Sequence, residues 1–133
     1  MSVFVDTNVF LRFLTQDDAG QSSTAEQLFR DAAAGKIHLV TGPPVLFELA
    51  WTLKRSYDMP MDGVLSFLEA VVSLPGLDLL DRPTVHAALA CAREQHLDFA
   101  DAYILASIQV QELDGLATFN QKHFRKAGIK LLP

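Results

Sequence analysis

Residues 3–14 read Val3-Phe4-Val5-Asp6-Thr7-Asn8-Val9-Phe10-Leu11-Arg12-Phe13-Leu14. A short apolar run of β-branched and aromatic side chains stops abruptly at Asp6-Thr7-Asn8, and apolar residues resume at Val9, Phe10, Leu11, Phe13 and Leu14. That order predicts a buried strand, a polar turn and a helix. The alternation recurs along the chain. Ser22, Ser23 or Thr24 can begin a second helix through Ala25, Leu28, Phe29 and Ala32, which Gly35 stops, and residues 37–40 form a second strand. Gly42-Pro43-Pro44 opens a helix whose first turn suits proline and which ends in Lys54-Arg55. Further helices are expected over 61–73, 83–96, 98–113 and 120–127, with strands over 77–80, 116–118 and 129–132. Strands alternating with helices predict right-handed crossovers and a parallel sheet covered on both faces, an α/β fold.

The chain has 133 residues, the size of one domain, and no internal repeat or low-complexity segment divides it. Half of the residues are hydrophobic and 20% are charged, a composition that excludes disorder and collagen-like structure. One cysteine, Cys91, can form neither an internal disulfide nor a multi-cysteine zinc site, and its Ala-rich surroundings predict a buried thiol. The first residues have no basic region and no apolar stretch approaches about 20 residues, so the expected location is cytoplasmic, without a membrane. The net charge of -5 argues at first against a nucleic-acid partner. Its distribution weakens that objection: all 16 acids precede residue 115, whereas Lys122, Arg125, Lys126 and Lys130 follow it. Such a basic tail is a solvated face or a phosphate-facing patch.

In an open parallel sheet the functional crevice lies beyond the carboxyl ends of the strands. Asp6 is placed there, as a helix N-cap or as a site acid; Thr7 and Asn8 could cap equally well. Glu48 interrupts the apolar run 45–50, which is costly for a carboxylate unless it is solvated, paired or cation-bound. Lys54 and Arg55 are not three or four residues beyond it, which weakens a helical salt bridge. Asp98-Phe99-Ala100-Asp101 precedes an apolar-periodic helix and fits a capping box, with Asp98 as N-cap and Asp101 free to face the crevice. Thr118 and Asn120 fall at the end of the fourth strand, where Asn120 can cap the following helix.

If Asp6, Glu48 and Asp101 converge to about 5 Å, each pair repels by roughly 3 kcal/mol at an effective dielectric near 20. A divalent cation is the natural compensation, and all-oxygen donors suit Mg²⁺ or Mn²⁺ in phosphoryl-transfer chemistry. A Gly-x-Ser-x-Gly elbow, a phosphate loop and a His-Glu-x-x-His motif are all absent. His38, His86, His96 and His123 show no metal-ligand spacing and are expected on the surface or in the core.

Together, Val3 to Asn8, Glu48, Phe99-Ala100-Asp101-Ala102 and Ala117-Thr118-Phe119-Asn120 before Phe124 resemble a PIN domain, most closely the VapC-like toxins of toxin–antitoxin pairs. The resemblance spans essentially the whole chain. It implies a three-layer α/β/α fold with about five parallel strands in a single domain over 1–133. It also implies a Mg²⁺- or Mn²⁺-dependent ribonuclease, cytoplasmic, inhibited by a cognate antitoxin and commonly homodimeric. Asp6, Glu48 and Asp101 match the family's acids, and Thr7 and Asn8 the residues that help hold its site, with Thr118 as further support. Asn120 stands where a fourth acid is frequent, which leaves Asn120 or Asp98 as the fourth position. Lys54, Arg55, Lys122, Arg125 and Lys126 are the expected RNA backbone contacts. Two rivals stand beside this reading. One is a phosphatase or phosphotransferase with Asp6 as nucleophile, which usually needs a second Asp where this chain has Asn8. The other is a catalytically silent binding module.

Overall fold

A computed structural model describes residues 1–133. The chain forms two compact units, Met1–Asp81 and Arg82–Pro133.

The first unit runs β1 (Ser2–Phe4), α1 (Thr7–Thr15), α2 (Ala19–Ala33), β2 (His38–Thr41), α3 (Pro43–Arg55), α4 (Met61–Val72) and β3 (Leu77–Leu79). Its strands pair in the order β1-β2-β3, all parallel, with Val3 opposite Leu39 and Leu39 opposite Leu77. Each crossover carries two helices, and α1 lies against both α2 and α3. Leu39, Thr41, Leu77 and Leu79 are buried, while the alternate residues His38, Asp78 and Leu80 are exposed. The sequence predicted a sheet covered on both faces; these three strands instead alternate as a half-covered sheet does. Polar His38 and Asp78 mark the open side, where Ser2 Oγ lies 3.1 Å from His38 Nδ1 and His38 Nε2 lies 2.8 Å from Asp78 Oδ2.

Helix α2 begins earlier than Ser22, because Asp18 caps it by accepting a hydrogen bond from the Gln21 N–H at 2.9 Å. The α4–β3 turn depends on Gly76. Its φ of +79° belongs to the left-handed region, and a Cβ there would stand 2.2 Å from the Ala32 carbonyl oxygen at the end of α2.

The second unit runs α5 (Arg82–Gln95), α6 (Phe99–Val110), β4 (Gly115–Ala117), α7 (Gln121–Phe124), a 3-10 turn at Arg125–Ala127, and β5 (Lys130–Leu132). Ala88 and Ala92 of α5, with Ala102 and Ala106 of α6, are almost wholly buried, and their small side chains let the two helices pack closely. Strands β4 and β5 pair in parallel, Leu116 opposite Leu131. The five strands therefore hydrogen-bond as a sheet of three and a sheet of two, not as one sheet of five. Cys91 on α5 is half-buried rather than buried, and that burial, with the charge of Glu94, pushes its thiol above the ordinary value.

Gly76→Ala is expected to cost about 2–4 kcal/mol, since it combines left-handed strain with a backbone collision. Gly35→Ala, at φ +77° with nothing within 4 Å of the new Cβ, should cost about 1 kcal/mol. Urea unfolding of the two variants checks the difference; equal losses would remove the close approach as the cause.

Candidate active site

Asp6 follows β1 directly. The Val5 N–H donates to the Val40 carbonyl at 2.8 Å, and the buried Thr41 hydroxyl donates to the Val5 carbonyl at 3.1 Å. The chain is thus held up to the residue where it leaves the sheet. Asp6 is extended and exposed, and its Oδ1 accepts the Thr7 N–H at 2.7 Å as the N-cap of α1. The capping role open to Thr7 or Asn8 falls to Asp6, and it occupies one carboxylate oxygen only. Asn8 is exposed. The Thr7 side chain is buried, and its Oγ1 has no hydrogen-bond partner. A buried hydroxyl left so costs about 1–3 kcal/mol, so it marks a polar position beside Asp6 that the protein fold does not itself satisfy.

Glu48 lies on the exposed side of α3. Val45, Leu46, Leu49 and Leu53 form the buried face, whereas Pro44, Glu48, Trp51 and Arg55 follow one another at helical spacing along the solvent side. The apolar run around Glu48 therefore encloses no buried charge. Neither Lys54 nor Arg55 pairs with it, and the Arg55 guanidinium instead stands 5.7 Å over the Trp51 ring. Glu48 is left as a solvated carboxylate.

Asp98 caps α6 by accepting the Asp101 N–H at 2.9 Å, the first half of the predicted capping box. The reciprocal bond is replaced. Asp101 Oδ2 lies 2.6 Å from Nε2 of His123, which donates from α7. Asp101 is shielded, with 21% of its side chain exposed, and His123 is about half exposed. No local pattern signals this contact, because His123 is remote from Asp101 along the chain and lacks metal-ligand spacing; His38 joins Asp78 and Ser2 in the same unanticipated way. The His123 ring also meets the buried Phe124 ring edge-on at 5.7 Å. Asn120 precedes α7 but makes no side-chain capping bond; its own N–H donates to Thr118 Oγ1 at 2.9 Å.

Asp6 and Glu48 belong to the first unit, and Asp98, Asp101, Asn120 and His123 to the second. Within neither unit does a group of three or more His, Cys, Asp or Glu side chains stand ready to hold a metal ion. The donors nonetheless suit a hard cation: Asp6 keeps one carboxylate oxygen outside its cap bond, Glu48 keeps both, and Asp101 keeps Oδ1. Lys54, Arg55, Lys122, Arg125 and Lys126 are all exposed.

The chain is an α/β protein with Asp6 placed where β1 gives way to α1. The PIN domain family matches residues 3–130, and the chain belongs to that family. Comparison with curated proteins finds no match. PIN domains are generally nucleases acting on RNA or DNA, and they typically use divalent metal ions. No helix is long and apolar enough to cross a membrane.

Thr7→Val replaces the unpartnered hydroxyl by a methyl group of the same shape. In metal-free protein it is expected to leave stability unchanged or raise it by up to about 1 kcal/mol. A measured loss of about 1 kcal/mol or more in urea unfolding would mean that the hydroxyl has a partner in solution.

Proposed function

We propose that the protein is a Mg²⁺- or Mn²⁺-dependent endoribonuclease cleaving single-stranded RNA, the toxin of a toxin–antitoxin pair, with Asp6, Glu48 and Asp101 as its catalytic and metal-holding acids. The family match carries this reading, because residues 3–130 include all three acids. Asp6, Glu48 and Asp101 would hold the ion, which when bound would supply Lewis-acid activation of water and stabilisation of charge on the phosphodiester oxygens.

The chain's own residues prepare that chemistry. The Thr7 N–H fixes one oxygen of Asp6, and His123 Nε2 fixes one oxygen of Asp101. Each carboxylate then presents its other oxygen without first having to reorganise. Asn120 is the proposed neutral fourth position, with Asp98, which caps α6 through one oxygen only, as the alternative. Lys122, Arg125 and Lys126 in the second unit, with Lys54 and Arg55 in the first, neutralise the RNA backbone. Attack by water leaves 5′-phosphate and 3′-hydroxyl ends.

An antitoxin protein and a second copy of the chain are the proposed partners, in the cytoplasm. Trp51 supports this, being 62% exposed on α3 beneath Arg55, since Trp and Arg are enriched at interface centres.

Asp6→Asn, Glu48→Gln and Asp101→Asn are each expected to lower Mn²⁺-dependent cleavage of single-stranded RNA by about two orders of magnitude or more. Melting temperatures should change little, because Asn at position 6 still caps α1, Asn at position 101 can still accept from His123, and Glu48 is solvated. Full activity in any one variant removes that residue from the site. A cooperative loss of stability in all three would make the acids structural.

Asn120→Asp adds a formal charge at the fourth position and should tighten Mn²⁺ binding to RNA-free protein in calorimetric titration. Asp98→Asn should leave that affinity unchanged, since Asn also caps well. The opposite pair of results would assign the fourth ligand to Asp98.

A further inference from the structure

Phe119 is the most exposed large apolar side chain of the protein, at 96%. Its surroundings are ordered by hydrogen bonds rather than loose. On one side the Thr118 N–H donates to the Leu132 carbonyl at 2.8 Å, continuing the β4–β5 pairing. On the other, the Asn120 N–H donates to Thr118 Oγ1 at 2.9 Å, and Gln121 Nε2 donates to the Pro133 carbonyl at 3.0 Å. The ring therefore projects from a fixed turn, which lowers the ordering cost of any stacking contact.

The side-chain charge carried by the segment itself has one sign. Residues 115–133 contain Lys122, Arg125, Lys126 and Lys130 and no acid, in a chain of net charge -5. The first three are exposed and form no ion pair. An exposed aromatic face among unpaired cations is the composition that binds single-stranded nucleic acid, with cations on the phosphates and a base on the ring. A protein partner fits less well, because interface cores are depleted in lysine. Four residues beyond Phe119, His123 touches the candidate acid Asp101. A base on Phe119 would thus lie within a few residues of the chemistry.

We propose that Phe119 is a stacking platform for an unpaired nucleobase of the RNA substrate, with Lys122, Arg125 and Lys126 as the accompanying phosphate contacts. A duplex cannot present an unstacked base to an isolated ring, so Phe119 selects single strands. This inference rests on the ribonuclease reading.

The test is fluorescence anisotropy with a labelled single-stranded RNA oligonucleotide and the full chain in chelator, so that cleavage is silent. Phe119→Ala and Phe119→Leu should each weaken binding about 10-fold, and Phe119→Trp should stay within about 3-fold of the parent. An oligonucleotide with abasic positions throughout should bind the parent chain as weakly as intact RNA binds Phe119→Ala, and duplex RNA should not distinguish the variants. Unchanged affinity in Phe119→Ala, or recovery in Phe119→Leu, overturns the proposal. So does a shift of Phe119→Ala in sedimentation with unaltered RNA affinity, which would make the ring a protein contact. A parent chain that binds no single-stranded RNA in chelator overturns stacking, and the ribonuclease reading falls with it if the chain also cleaves none with added Mn²⁺; a parent that binds, with Phe119→Ala its equal, overturns stacking alone.

Discussion

The end of β1 is held from the neighbouring strand by two bonds to one residue: the Val5 N–H on the Val40 carbonyl and the Thr41 hydroxyl on the Val5 carbonyl. Thr41 is completely buried, so its hydroxyl has no water to turn to and the bond is hard to give up. The same residue accepts the Leu80 N–H at 2.9 Å just beyond β3, so one buried threonine ties together the carboxyl ends of three parallel strands. Asp6 leaves the sheet from that clamp. Its place follows from strand pairing rather than from its own contacts, which leaves its carboxylate exposed and available.

Two acids discharge structural duties through one carboxylate oxygen each, which leaves the other oxygen open for the proposed chemistry. Asp6 caps α1 with one oxygen, and Asp101 takes its cap from Asp98 while giving one oxygen to His123. A helix N-terminus favours a negative charge in either role, so capping and ion binding draw on the same field. Glu48 differs: it has no structural task, and only the solvent face of α3 determines where it stands.

The strands and helices were legible because apolar runs and breakers coincide with them. Val3-Phe4-Val5 before Asp6, Gly35 after α2, and Gly42 as the cap of α3 with Pro43-Pro44 in its first turn all mark real boundaries. The open face of the three-stranded sheet was less so, although the alternation His38-Leu39-Val40-Thr41 contains it, because the alternating αβ pattern implies two covered faces. Asp6 and Asp98 as caps follow from local rules, since capping depends on a few adjacent residues. The His123–Asp101 contact depends on how α7 folds back toward α6 within the second unit, and no short spacing encodes it. Which of the outcomes open to Glu48 is realised was illegible for a related reason: burial of a helix face is decided by what packs on it, so an apolar run can have a wet side, and Glu48 is solvated.

Analysis of the RNA ends produced by the purified chain tests the central claim most directly. Attack by an activated water predicts 5′-phosphate and 3′-hydroxyl fragments that form only with added Mg²⁺ or Mn²⁺ and disappear with Asp6→Asn. Fragments with 2′,3′-cyclic phosphate and 5′-hydroxyl ends, formed in chelator and insensitive to Asp6→Asn, would contradict it and move the chemistry to metal-free acid–base groups such as His123.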